Sequence, residues 1–109
     1  MRNFEEILYM PEAENFIRSL DKKARTKVLY NISKAQYIKD PELFKKLDSE
    51  IWEFRTIYNK ACYRLLAFWD KKTNKVVVCT HGFFKKTQKT PSQEIERAEQ
   101  LRTEYIKGR

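Results

Sequence analysis

The fold turns on one stretch: Ile51-Trp52-Glu53-Phe54-Arg55-Thr56-Ile57-Tyr58, then Ala61-Cys62-Tyr63-Arg64-Leu65-Leu66-Ala67-Phe68-Trp69, then Val76-Val77-Val78-Cys79-Thr80. In the first segment Trp52, Phe54 and Tyr58 alternate with Glu53 and Arg55, the period of two that marks a strand with one face buried. Asn59-Lys60 is a turn candidate. The second segment carries aromatic and aliphatic residues on both faces, which suits the central strand of a sheet. Asp70 to Lys75 is a polar loop, and Val76 to Thr80 has the highest β-branched content in the chain. Three strands joined by short turns predict an antiparallel meander.

On either side of this block the period changes to that of a helix. Ala13, Phe16, Ile17 and Leu20 fall on one helical face, with Pro11 at a first-turn position. Asp21 is placed to cap a second helix whose stripe is Ala24, Val28, Ile32 and Ala35 beside Leu29. That helix should end near Ile38-Lys39, because the residue before Pro41 is driven out of helical geometry. Almost nothing separates the two helices, so they form an antiparallel hairpin. Phe4 to Leu8 reads as a short edge strand. Near the C-terminus, Ile95, Ala98, Leu101, Arg102 and Tyr105 share one helical face, with Ser92 as the expected N-cap and Gly108 as the stop. The expectation is an α+β fold: an N-terminal helical hairpin packed on a small antiparallel sheet, followed by a C-terminal helix. A single domain over residues 1–109 accounts for the whole length.

Composition narrows the function. Twenty-three Lys and Arg against 15 Asp and Glu give the chain a formal charge of +8, which favours polyanions or acidic proteins as partners. Only 2 Gly and 3 Pro occur, so collagen-like and linker-like classes are excluded. There is no apolar run long enough to span a membrane, and acids interrupt Met1 to Ile7 where a secretory leader would be apolar. Cys62 and Cys79 sit singly in apolar surroundings, with neither a CxxC pair nor a disulfide framework, as expected of buried thiols in a cytoplasmic protein.

Charge is unevenly spread. The 23 residues from Lys71 to Gln93 contain no acid but hold Lys71, Lys72, Lys75, Lys85, Lys86 and Lys89. A solvated loop and strand end is the ordinary reading of such a run; a phosphate-binding strip centred on Lys85 to Thr90 is the functional one. Two arginines precede it on strands. Arg64 lies in the most apolar strand, and its charge cannot be relieved by losing a proton. It either pairs with Glu53 across the strands, or converges with Arg55 and the Lys85–Lys89 segment as a fork-shaped anion site. His81, the single histidine, has the proton affinity for acid–base work, although a lone histidine on a strand is more often a packed side chain. No metal-ligand spacing is present, and Glu94, Glu96, Glu99 and Glu104 read as a solvated helix face.

The stretch Cys79-Thr80-His81-Gly82-Phe83-Phe84-Lys85-Lys86-Thr87-Gln88-Lys89-Thr90-Pro91, followed by Glu94-Ile95-Glu96-Arg97-Ala98, resembles the RelE/HigB family of toxin–antitoxin ribonucleases, closest to its phage-derived HigB-like branch. Leu47 with Ile51-Trp52-Glu53-Phe54-Arg55, and Tyr63-Arg64-Leu65-Leu66, resemble the upstream motifs of that family in the same order. The resemblance implies a RelE-like fold and a small basic toxin that cuts messenger RNA in the ribosomal A site. Its implied partners are that mRNA, the ribosome with its rRNA, and a helix-turn-helix antitoxin of HigA type. It further implies attack of a ribose 2′-hydroxyl on the adjacent phosphate, with neither metal nor cofactor. Arg55, Arg64, Lys85 and Lys86 are then the catalytic candidates, with Lys89, Thr87, Lys71, Lys72 and His81 as further RNA contacts. The general acid has no assigned residue, since Tyr105 reads as core. The related ParE toxins share the fold and poison gyrase, so a non-catalytic gyrase inhibitor or basic nucleic-acid-binding module is the alternative.

Overall fold

Strand pairing, helix caps and packing follow directly from the computed structural model, which describes residues 2–48, 50–85 and 89–108, with Lys85 described in its backbone only. In chain order the elements are β1 (Glu6–Tyr9), α1 (Pro11–Ser19), α2 (Lys22–Tyr37), β2 (Phe44–Asp48), β3 (Ile51–Tyr58), β4 (Ala61–Trp69), β5 (Val76–Lys85) and α3 (Ser92–Lys107). Among the described residues the strands form one five-stranded sheet in the order β1-β5-β4-β3-β2. The apolar β4 lies at its centre, as its two-faced composition requires.

The sheet is larger and more mixed than the antiparallel meander expected from the alternation. β2 to β5 are antiparallel, whereas β1 joins the outer side of β5 in parallel, with Glu6 opposite Val76 and Tyr9 opposite Cys79. β2 escapes a pattern reading because it is a short edge strand with Lys45, Lys46 and Asp48 among its five residues. Charge on an edge keeps other chains from pairing with it.

Helix boundaries follow local chemistry. Pro11 opens α1, and the Asp21 side chain accepts a hydrogen bond from the Ala24 amide at 3.0 Å to cap α2. α2 stops at Tyr37, three residues before Asp40-Pro41. The expected N-cap of α3 is shifted by one. Pro91 occupies the cap position without a side-chain bond, and Ser92 is the first helical residue. Glu94 of that first turn is instead tied to a neighbouring strand, as described below, so the helix start is anchored by tertiary contact.

The hairpin α1–α2 covers one face of the sheet. Ala13, Ile17, Leu20, Ala24, Val28, Ile32 and Ala35 are buried there against Phe54, Leu65, Ala67, Val77 and Cys79. Burying each larger aliphatic side chain of this set is worth about 1.5–3 kcal/mol. Phe44, Phe54, Trp52 and Phe4 stack and tilt against one another at the β2 end of the same face. α3 packs on the opposite face, where Ala98 meets Ile51 and Leu66 with Ile95 and Phe83 alongside. The helices therefore make two outer layers around the sheet. Both thiols are free; Cys79 is fully buried and Cys62 half-buried.

Two departures from regular geometry matter. At the β3–β4 turn, Asn59 (φ 52°) and Lys60 (φ 66°) both adopt left-handed backbone, the signature of a two-residue turn that prefers Asn-Gly. Lys60→Gly is expected to stabilise the protein by about 0.5–1 kcal/mol, seen as a higher urea midpoint at unchanged slope. The second departure is a bulge in β5. Leu66 pairs with His81 but Ala67 pairs with Cys79, which leaves Thr80 as the extra residue. The bulge reverses side-chain parity along β5, so Val77 and Cys79 face the hairpin while His81 and Phe83 face α3.

Candidate functional site

On the α3 face, β3 and β4 bring two arginines directly opposite each other: Arg55 pairs with Arg64 in the strand register. Like charges in that position repel. Glu53, two residues before Arg55 and therefore on the same face, lies between them. Its Oε1 is 3.6 Å from Arg55 Nε and 3.7 Å from Arg64 Nη1. The Thr90 hydroxyl donates to the other oxygen, Oε2, which brings the start of the α3 segment over the cluster. Glu53 and Arg64 are each 2% exposed and Arg55 15%. One carboxylate thus faces two guanidinium groups that cannot be neutralised, leaving one positive charge in excess.

The donors are not satisfied either. Among the described residues, Arg55 Nε and Arg64 Nε and Nη1 are buried with no hydrogen-bond partner. Two of these atoms, Arg55 Nε and Arg64 Nη1, are the ones that face Glu53 Oε1 beyond hydrogen-bond distance. Surplus charge on planar forks favours an anion at the outer edge of the cluster, where Arg55 is partly exposed and its Nη1 donates to Pro41 O at 3.4 Å, with Arg64 buried behind it. The cross-strand Glu53–Arg64 pairing occurs together with the juxtaposition of Arg55 and Arg64; the Lys85–Lys89 part of the expected fork lies largely outside the described residues.

The remaining candidates divide. Lys85 ends β5 opposite Cys62, two positions along β4 from Arg64; its side chain, and all of Lys86 and Thr87, lie outside the described residues. Lys89 is exposed, one residue before Thr90. Lys71 and Lys72 belong elsewhere. They follow the C-terminal end of β4 at Trp69, five residues beyond Arg64, roughly 16 Å along the strand. There Lys71 pairs with Glu50 at 3.1 Å, which holds that exposed carboxylate below its ordinary range. The acid-free run is therefore two clusters at opposite ends of β5, because a strand of ten residues separates them.

His81 is buried and engaged at both ring nitrogens. Nε2 lies 2.9 Å from Glu94 Oε1, Nδ1 lies 3.1 Å from Thr80 Oγ1, and the ring stacks beside Phe83. Nε2 faces the Glu94 carboxylate, and the Thr80 hydroxyl, which has one proton, lies within reach of both Leu66 O at 3.2 Å and His81 Nδ1. The imidazole fastens the first turn of α3 to the bulge of β5. Burial holds its proton affinity below the ordinary histidine value, outweighing the adjacent Glu94. The unfolded chain therefore binds this proton more tightly than the folded one, and stability falls as pH drops from the unfolded value near 6.5 through the lowered folded one. Urea midpoints at about pH 7.5 and about pH 5.5 should differ more for the wild type than for His81→Gln; equal differences would refute this linkage.

The part that Glu53, Thr90 and Glu94 play together in these contacts is what the sequence reading leaves out. For Glu53 the signal was available, since the period of two sets it beside Arg55. For Thr90 and Glu94 none existed, because their partners are 37 and 13 residues away. Tyr105, expected in the core, is half-buried, with its ring edge on Phe68 and its hydroxyl donating to Asp70 Oδ2 at 3.3 Å. Among the described residues no group of three or more His, Cys, Asp or Glu is placed to hold a metal ion, and no helix is long and apolar enough to cross a membrane.

Residues 15–103 match the model of a family described as Phage derived protein Gp49-like. A search among curated proteins finds no match.

Proposed function

The chain belongs to the Gp49-like family of phage-derived proteins, and we propose that it is the toxin of a toxin–antitoxin module, an endoribonuclease that cuts messenger RNA in the ribosomal A site. The observation that carries this reading is the Arg55–Arg64 pair: two guanidinium groups sharing a single carboxylate, with Arg55 partly exposed at the edge of the cluster. The resemblance of the Lys85–Pro91 segment and the strand motifs to RelE/HigB ribonucleases supports it.

In this reading the substrate supplies its own nucleophile. The ribose 2′-hydroxyl loses its proton as its oxygen bonds to the adjacent phosphorus. The phosphorus–O5′ bond breaks, and the leaving 5′-oxygen takes up a proton. The products are a 2′,3′-cyclic phosphate and a 5′-hydroxyl end. Negative charge grows on the phosphoryl oxygens as the new bond forms, and preorganised guanidinium donors stabilise that state more than the ground state. Arg55 reaches the oxygens from the outer edge of the site, and Arg64 adds its field from behind. Lys85 and Lys86 serve as base or as further electrostatic stabilisers, with Lys89 on the flanking backbone. A helix-turn-helix antitoxin neutralises the activity, and mRNA on the ribosome is the target.

The test is to induce the protein and map 5′ ends on translated transcripts. New ends within codons, lost when translation is blocked, are the expected result. Intact messages with double-strand DNA breaks would overturn the reading in favour of gyrase poisoning.

A further inference from the structure

We propose that the outer stripe of α2 is a docking surface for an acidic amphipathic helix of a partner protein, separate from the arginine site and independent of the reading above. Across its 16 residues α2 carries Lys22, Lys23, Arg25, Lys27 and Lys34 and no acid. Among the described residues none of these cations forms an ion pair. Ala24, Val28, Ile32 and Ala35 face the sheet. Nearly opposite them, Lys23, Lys27, Tyr30, Lys34 and Tyr37 follow one another at intervals of 4, 3, 4 and 3 residues, the spacing of a seam between two helices. The stripe is about 21 Å long at the helical rise of ~1.5 Å per residue.

Its chemistry is amphipathic rather than merely basic. Tyr30 and Tyr37 are 58% and 56% exposed, large rings left in water although a core lies beneath them. Each ring has a cation beside it: Lys27 Nζ lies 5.5 Å from the centre of Tyr30, and Arg2 Cζ 5.9 Å from that of Tyr37. At the N-terminal half, Lys22, Lys23, Thr26, Lys27, Tyr30 and Tyr58 line an open groove of about 620 Å³. Its lining is lysine side chains, two tyrosines and Thr26, with Lys27 Nζ over the Tyr30 ring. Apolar side chains at three-to-four spacing fit such a lining, and flanking Glu or Asp meet the lysines. Charge complementarity therefore selects an acidic helix. RNA is the poorer fit, because the spacing matches helix packing and this face lies on the opposite side of the sheet from Arg55 and Arg64.

The experiment uses the full chain, isotopically labelled, and a synthetic helical peptide of about 21 residues, long enough to span the stripe, with Leu at three-to-four spacing and Glu flanking. A scrambled peptide of the same composition and an RNA of roughly 20 nucleotides serve as competitors. The patterned peptide is expected to shift amide resonances along Lys23 to Tyr37 and to bind about tenfold or more tightly than the scrambled one. Lys27→Glu with Lys34→Glu should weaken it roughly tenfold, and Tyr30→Ser with Tyr37→Ser at least about fivefold. These positions are exposed, so circular dichroism should be unchanged. Arg55→Ala should bind the peptide normally, which keeps this outcome distinct from that of the ribonuclease reading. Equal binding of both peptides, RNA shifting the same α2 amides at lower concentration, or no binding of the patterned peptide would each overturn the proposal.

Discussion

Arg55→Ala is expected to lower RNA cleavage about 100- to 1000-fold, the usual cost of removing one preorganised donor from a developing oxyanion, and to abolish growth inhibition. Arg55 is the position for this test because its side chain is partly exposed while Arg64 is buried. Removing Arg55 leaves Glu53 paired one-to-one with Arg64 and bonded by Thr90, so the folded state keeps its counter-charges. Arg64→Ala would be harder to read, since it empties a buried volume beneath α3. Arg64→Lys retains the charge but loses the planar fork, and a loss of cleavage with it would assign the fork itself. Cleavage assays on programmed ribosomes, with thermal melts of each variant, supply both readouts. Full toxicity of Arg55→Ala with wild-type stability would end the assignment.

Glu53→Ala is the substitution with the largest expected effect on stability. It strands two guanidinium groups facing each other across β3 and β4, one of them nearly inaccessible to water. Removing one partner of a buried ionic cluster costs about 3–5 kcal/mol. For a chain of this size that corresponds to a fall in Tm of roughly 15–25 °C. Replacing the pair together, as in Glu53→Leu with Arg64→Met, should recover much of the loss, because apolar groups of similar volume need no counter-charge. Chemical denaturation of the single and double variants measures the difference. A cost below about 1 kcal/mol for Glu53→Ala would show that water already reaches the cluster.

The ionic cluster also shows how far residue pattern reaches into a site. Arg55 and Arg64 stand out because charge interrupts apolar strands, and a period of two puts Glu53 on the side of Arg55. That Arg64 would be opposite Arg55 depends on the length of the Asn59–Lys60 turn, which is legible. Thr90 bonding to Glu53 is not, since nothing local to Thr90 records where α3 will dock. The run of lysines from Lys71 onward illustrates the opposite error: adjacency in sequence suggests one strip, but the ten residues of β5 separate Lys71, Lys72 and Lys75 at its start from Lys85 at its end.

What the residues determined unaided was whatever short-range physics dictates: the helical hairpin, from its apolar stripes and the Asp21 cap; the centrality of β4, from its two apolar faces; the C-terminal helix; the basic charge. What only the tertiary structure decided was long-range: β1 lying parallel to β5, α3 covering the face opposite the hairpin, and the bulge at Thr80. Strict alternation would put His81 on the same side as Val77 and Cys79. One unpaired residue turns it to the other side, where Glu94 holds it. Side-chain direction in a strand has a period of two residues, so a single insertion reverses every position after it, and the cause of that insertion is packing against elements distant in the chain.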